Sequence, residues 1–436
     1  MSKKFMTCFL VAIFMMCFCS WAQAKTDLPK APNWRFGDEI VEMKGVREFI
    51  PPPRGGYNEA VENQKIINSW GYGARPIEEI KNLLPAPFYN VISRPELYGD
   101  FRVNETEYLP PSGRYWEAYK EATEKYKGTC YLDEKGWLCN YKAGLPFPDL
   151  DPEKDPRGAL KLAWNFLKRK QHDDRKVPGL ADLRDRGGNV RVLKYDNIRM
   201  MFNGRLEIDP KPLYDPNPTG LDYCYSLPFV APYGMRGIVP LVYRYATGGH
   251  DDFWMYLPAM RRVRRMAATQ TQDKMPGGLD ATWDSAESFM GNVLKFDFTY
   301  LGRKEQLLPL ICSVIPSYDL NGLAGVDAFY QKRDWHILKA TYKKPITTTD
   351  ITFYIDPEMF YSCYSMTTDM RGKDWVFHMY MRGRDGDWFQ QNSNMNMVDM
   401  GRRHISRCLL SYYHSNYGYS ARDFSMEQLI KAYSAR

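Results

Sequence analysis

The sequence predicts an α+β fold: a large curved antiparallel β-sheet, its open side filled by helices and proline-rich segments. Three observations point there. From about residue 188 the apolar pattern has a period of two, repeated through at least eight segments. Before that point, helical spacing alternates with proline-rich connections. No strand–helix–strand alternation occurs, which argues against a parallel nucleotide-binding sheet. A meander this long must protect its edges, and curling into a barrel or half-barrel is one solution. Inward positions of such a sheet form either a packed core or a ligand cavity, and periodicity does not choose between them.

The chain has 436 residues and a formal charge of +7. Residues 1–24 read as an export signal: Lys3-Lys4, an apolar run from Phe5 to Ser20, then Ala22-Gln23-Ala24 as the cleavage site. The run is too short for a good spanning helix, so the expectation is a cleaved signal peptide and a periplasmic protein. Composition is 44% hydrophobic and 25% charged, which excludes disorder as the main state. No long single-sign block suggests a nucleic-acid partner. The unusual figure is 15% aromatic, with 31 tyrosines. Aromatic residues favour strands and line sites that are partly apolar and partly wet.

Residues 25–187 form the helical, proline-rich region. Helices are expected over Pro76–Leu84, Ser112–Lys127 and Gly158–Lys170, each with a start signal or a one-sided apolar stripe. Residues 188–436 form the meander, integrated with the preceding region as one domain. Expected strands include Asn189–Tyr195, Arg199–Ile208, Val239–Tyr245, Phe253–Leu257, Arg261–Ala267 and Val293–Leu301. Trp335–Lys343, Ile351–Ile355, Phe360–Met366 and Trp375–Met381 continue the series, and a helix near Ser425–Tyr433 ends the chain.

Six cysteines follow the signal. Cys130 and Cys139 flank a short hairpin turning at Glu134-Lys135-Gly136, and a disulfide there would contribute roughly 2.5–3 kcal/mol in an oxidising compartment. Cys224, Cys312, Cys363 and Cys408 can pair in three ways.

The densest feature is Asp251–Ala267, DDFWMYLPAMRRVRRMA, read as strand, turn, strand. Alternation puts Arg261 and Arg265 on one face with Val263, and Arg262 and Arg264 on the other. Guanidinium groups so placed need carboxylates or phosphates. Asp280, Asp284 and Glu287 are candidates within the chain; an anionic headgroup or a partner protein is the alternative. Next come Ser288, Phe289 and Met290 in a loop, then Phe296, Phe298 and Tyr300 alternating along a strand, expected as partial lining of a cavity. The histidines show no metal spacing, and no phosphate-binding loop, dinucleotide fingerprint or nucleophile elbow occurs. Neither a cofactor, a metal nor a catalytic set is expected.

FWMYLPAMRRVRRMA followed by SAESFMGNVLKFDFTYLGRKE resembles an exported bacterial family, domain of unknown function 1329, a distant relative of the lipoprotein-sorting proteins LolA and LolB. Leu145-Pro146-Phe147-Pro148, Ala163-Trp164-Asn165, Phe353-Tyr354-Ile355-Asp356 and Asp423-Phe424-Ser425 extend the resemblance over most of the chain. It implies a LolA/LolB-like half-barrel with helices over the concave side, and an acyl-chain-sized load there. It also implies work beside an inner-membrane exporter of the resistance-nodulation-division type, or with an outer-membrane protein. The expected function is a periplasmic carrier or binding protein for a lipid or other hydrophobic molecule. The alternatives are a periplasmic hydrolase whose site assembles only in the fold, and a factor that docks on an envelope complex.

Overall fold

In the computed structural model, residues 76–434 are described except 99–100, 107, 109, 112, 310–325, 382–383, 386–387, 390–393 and 411–413. The signal segment 1–24 and Cys312 lie outside them. Among the described residues the helices are α1 (Ala86–Ile92), α2 (Pro95–Tyr98), α3 (Arg114–Tyr126), α4 (Gly158–Leu167) and α5 (Met426–Ser434). The strands begin with β1 (Phe101–Thr106), β2 (Tyr131–Leu132), β3 (Leu138–Cys139), β4 (Asp174–Arg184), β5 (Val190–Met201), β6 (Leu221–Ser226), β7 (Phe229–Ala231), β8 (Val239–Tyr245), β9 (Asp252–Leu257) and β10 (Arg262–Arg265). They continue with β11 (Phe296–Leu308), β12 (Val326–Tyr342), β13 (Thr348–Ile355), β14 (Ser362–Asp369) and β15 (Asp374–Met381). Last come β16 (Arg384–Asp385), β17 (Trp388–Phe389), β18 (Asn394–Asp399), β19 (His404–Leu410) and β20 (His414–Ser415).

The main sheet runs β1-β12-β13-β14-β15-β18-β19-β4-β5-β6-β8-β9-β10 and does not close into a barrel. β11 pairs with β12 along most of its length. Two meanders are therefore joined where β19 pairs antiparallel with β4. β1 is the parallel exception, aligned with β12. Both β1 and β4 precede residue 188, so the sheet itself joins the N-terminal region to the meander.

The strand β4 contains Pro178, which cannot donate to a ladder. The position is tolerable because β19 pairs with Gly179–Arg184 and β20 with Arg175 and Lys176, which leaves Pro178 between the two pairings. Gly179 beside it makes room for the Tyr195 ring, which a Cβ there would meet at 2.5 Å.

One segment fixes the curvature. Between β10 and β11 the chain from Met266 to Lys295, here the strap, crosses the sheet. Trp283 packs on Phe253 of β9 at 4.9 Å between ring centroids, and Phe289 stacks on Phe353 of β13 at 5.3 Å. Nine strand spacings separate β13 from β9, about 43 Å in a flat sheet. Six residues of chain reach at most about 22 Å. The sheet must bend around the strap, so the strap face is the concave one, shared with α4, whose Phe166 meets Phe353.

The opposite, convex face is apolar as well. Along β15, Phe377, Met379 and Met381 join one core cluster, while Val376 joins the strap's cluster. α1 lies over the first set, with Phe88 at 5.3 Å from Phe377 and 4.8 Å from Tyr364. A strand buried on both sides reads as near-continuous apolar sequence, as β15 does from Trp375 to Met381 but for His378. α5 closes a separate cluster around Phe424 and Leu429. Among the described residues no helix is long and apolar enough to cross a membrane.

The hairpin at residues 130–139 forms as expected, but its cysteines are both free. The pairing sets Tyr131 opposite Cys139. Cys130 is thus one residue out of register, and a one-residue offset sends its side chain to the other face. Its thiol donates instead to the Pro146 carbonyl at 3.1 Å. The expected Cys130–Cys139 disulfide is corrected on this ground.

Candidate functional site

Among the described residues the arginine segment forms the outermost strand of the sheet. β9 reaches Leu257, Pro258–Met260 make a single turn, and Arg261 adopts the left-handed conformation, φ 48°, that starts the return. Among the described residues β10 then pairs only with β9. Arg262 and Arg264 sit opposite Leu257 and Met255, while Val263 and Arg265 sit opposite Tyr256 and Trp254. All five residues from Arg261 to Arg265 are exposed. Arg265 pairs with Asp252.

The acids considered as partners for this strand are engaged elsewhere, because the strap carries them away from the edge and into the concavity. Every residue from Leu279 to Val293 is buried. Asp280 accepts Lys274 Nζ at 2.8 Å and Ser406 Oγ at 2.9 Å, and meets His404 Nδ1 at 2.5 Å. Asp284 accepts Thr271 Oγ1 at 2.7 Å and Tyr342 Oη at 3.0 Å. Glu287 receives Arg169 at 3.2 Å, Arg199 at 3.4 Å and Arg175. Burial alone would raise the Glu287 pKa, but the guanidiniums of Arg175, Arg199 and Arg169 outweigh it and hold the carboxyl well below the usual range. Glu287 and Ser288 both adopt positive φ, 51° and 75°, a strain of order 1–3 kcal/mol each that the surrounding bonds must offset.

Backbone bonds complete the fastening. Arg244 donates to the Met290 carbonyl at 2.8 Å, Tyr380 to the Ser285 carbonyl at 3.1 Å, and Asn292 to the Gly249 carbonyl at 2.8 Å. His378 Nε2 lies 3.1 Å from the Asp280 carbonyl and its Nδ1 3.1 Å from Ser365 Oγ. Burial pushes the His378 pKa down to about 4, so the ring is neutral at pH 7. This serine–histidine pair is fully buried beneath the strap. Ser406 bonds to Asp280 and not to His404, so that trio lacks the order of a nucleophile, base and orienter.

The residues expected to line a cavity are distributed as follows. Phe289 meets Phe296 at 4.9 Å and Phe298 at 5.7 Å, and Phe296 meets Tyr342 at 4.2 Å. These rings form one packed cluster with Leu162 and Phe166 of α4. Met290 lies in the neighbouring cluster with Trp283, and Ser288 is fully buried. Tyr300 is half-buried, its hydroxyl 2.8 Å from His336 Nδ1. A cavity of about 20 Å³ lies beside Phe289 and Met290, edged by Lys168, Arg199, Arg244, Asp222 and Glu287. It has room for roughly one or two waters. Sequence reasoning placed the aromatic stripe correctly on one strand but had no signal that Arg169, Arg175 and Arg199 converge on Glu287, since these lie 88 to 118 residues away.

The convex cover is built differently. Residues 76–98 bury Ile80, Leu84, Phe88, Val91 and Ile92 on a bed of Tyr330, Met359, Tyr364, Met366, Phe377 and Met379. Hydrogen bonds within this segment are local, such as Tyr89 Oη to Glu78 at 2.6 Å and Ser93 N to the Tyr89 carbonyl at 2.9 Å. Among the described residues none joins it to the sheet beneath. α1 has seven residues and no side-chain cap, too short to hold its shape by helix propensity alone.

The family described as protein of unknown function (DUF1329) matches residues 74–427, and the chain belongs to that family. Three solved structures are similar. A domain named for outer membrane lipoprotein sorting, from Vibrio parahaemolyticus, is 16% identical over 64% of this chain and 100% of its own, with a TM-score of 0.47. A DUF1329 family protein from Desulfovibrio piger is 17% identical over 63% and 100%, TM-score 0.46. A LolA superfamily protein from Nitrosomonas europaea is 11% identical over 59% and 93%, TM-score 0.39. No curated protein matches.

Proposed function

We propose that this is a periplasmic binding or carrier protein for a lipid or other hydrophobic molecule, and that the load takes the place of residues 76–98 on the convex face. The observation that carries the reading is that cover: an aromatic and methionine-rich sheet face overlaid by a short segment that shares no hydrogen bond with it among the described residues. Transferring a sixteen-carbon chain out of water is worth about 0.8 kcal/mol per methylene, roughly 12 kcal/mol in all. An apolar cover can be exchanged for an apolar load with little change in polar bonding. Methionine suits a bed that must fit either occupant. Export rests on residues 1–24, and an exporter of the resistance-nodulation-division type or an outer-membrane protein is the recipient this reading names.

Native mass spectrometry tests it. Protein purified without detergent, or incubated with phospholipid, should carry lipid-sized adducts, and Phe88→Ala should change how much is taken up. A chain that stays empty after incubation sinks the carrier reading. Uptake that responds to Glu287→Gln but not to Phe88→Ala would move the load to the concavity.

A further inference from the structure

Two hairpin turns lie side by side at one end of the sheet. β8 begins at Val239 opposite Tyr256 near the end of β9, so the turn before β8 and the turn after β9 share that end. Their contact is close: a Cβ added to Gly237 would sit 3.1 Å from Pro258 Cγ. The first turn is closed by Gly237 N to the Phe229 carbonyl and Phe229 N to the Ile238 carbonyl, both 2.9 Å, which places Tyr233 at its apex.

This end of the molecule is both basic and apolar. Tyr233 is 92% exposed, Met260 47%, Val263 44% and Val230 43%. Arg236, Arg261, Arg262 and Arg264 are exposed among them, and these four make no ion pair among the described residues. Arg265 is matched by Asp252. Elsewhere, exposed lysines and arginines often stand beside acids, as Arg303 does with Asp334 and Lys332 with Glu305. Exposed large apolar side chains at turn apices do not contribute to this fold, and gathered with unmatched arginines they mark an interaction surface.

We propose that these two turns dock the protein on an anionic lipid bilayer. The chemistry fits on two counts. Guanidinium groups pair with phosphate oxygens, and each basic residue near an anionic surface adds about a factor of five to partitioning. Tyrosine and methionine at the apices can enter the interfacial region, where an amphipathic ring is favoured. The open edge of β10 could instead receive a strand of an acidic protein. That mode would use the backbone along the edge and would leave Tyr233, on the other turn, without a role. This inference goes beyond the carrier reading and does not depend on it, because vesicle binding can be read on unloaded protein.

The test is co-sedimentation of the full chain with phosphatidylglycerol-containing vesicles and with phosphatidylcholine vesicles. The chain should prefer the anionic vesicles, and the preference should weaken as salt is raised. Arg262→Glu with Arg264→Glu should reduce binding at least about tenfold, and Tyr233→Ser with Met260→Ser by several fold. Arg303→Glu with Lys304→Glu, on β11 at the far side of the sheet, should leave binding within about twofold. Equal partitioning to both vesicle types, or equal losses from the β11 pair and the turn variants, would overturn the proposal. So would charge reversal that abolishes capture of an acidic protein while vesicles leave the wild-type chain in solution.

Discussion

The strap and the cover are both buried against the same sheet, on opposite faces, yet they are held by different physics. The strap is fastened by charges and hydrogen bonds with fixed geometry: Glu287 against three arginines, Asp280 against Lys274 and His404, and carbonyls accepting from Arg244, Asn292 and Tyr380. Among the described residues the cover at 76–98 shares no hydrogen bond or ion pair with the sheet and is held mainly by apolar area. Dispersion and hydrophobic contacts tolerate exchange of one apolar partner for another, whereas a buried charge cannot lose its partner cheaply. The difference teaches which layer can leave. The concave side is a locked interior, and the convex cover is the layer that the proposed carrier role requires to be replaceable.

The largest expected effect falls on the lock. Glu287→Gln removes the carboxylate shared by Arg169, Arg175 and Arg199, and should destabilise the fold by about 3–5 kcal/mol, read as a lower urea midpoint. A change below about 1 kcal/mol would show that the strap is not pinned there. Phe88→Ala should act locally. It weakens closure of the cover by about 3 kcal/mol, so amides of α1 exchange roughly a hundredfold faster while those of the strap keep their rates. If both regions accelerate together, the cover and strap are one cooperative unit.

Acid sharpens the contrast, since it acts on the concave side. His378 is pushed to about 4 by burial, and His336 to about 4 by burial and by Arg303. The native state therefore binds fewer protons than the unfolded chain between pH 6.5 and about 4. Stability that is present above pH 6.5 should be lost through that window, by up to about 1.4 kcal/mol per pH unit for each histidine. Urea midpoints at pH 7 and pH 5 measure it, and His378→Gln should flatten the dependence. The smallest effect is expected at the hairpin: Cys130→Ser should cost at most about 1 kcal/mol, and reductant should leave the melting temperature of the wild type unchanged. A drop on reduction would restore the Cys130–Cys139 bond.

Much of the sheet was legible. The period of two located β8 at Val239–Tyr245 to the residue, and placed β9, β13 and β15 within three residues of their ends. Asn189–Tyr195 and the first residues of Arg199–Ile208 proved to be one strand, β5, paired without a break to β4, while Phe202–Ile208 lies beyond its end. β4 itself was hidden by Pro178-Gly179, whose tolerance depends on neighbours far away in sequence. Pro76–Leu84 gave a short turn of 3-10 helix, and the helix begins instead after Pro85, where proline suits the first turn. The arginine strand was found, and its exposure was not, because alternation names faces but cannot tell an edge from a centre. The strap looked like a loop between two strands. Its burial follows from ion pairs that join residues more than 80 positions apart, and no local pattern encodes those.

The most direct test of the account is hydrogen exchange read by mass spectrometry with and without phospholipid. In the unloaded protein, residues 80–98 should exchange orders of magnitude faster than residues 280–293. Lipid should change exchange over 80–98 and over the β14–β15 bed while the strap stays as it was. Equal protection of the two segments, or a lipid response confined to residues 280–293, would contradict it.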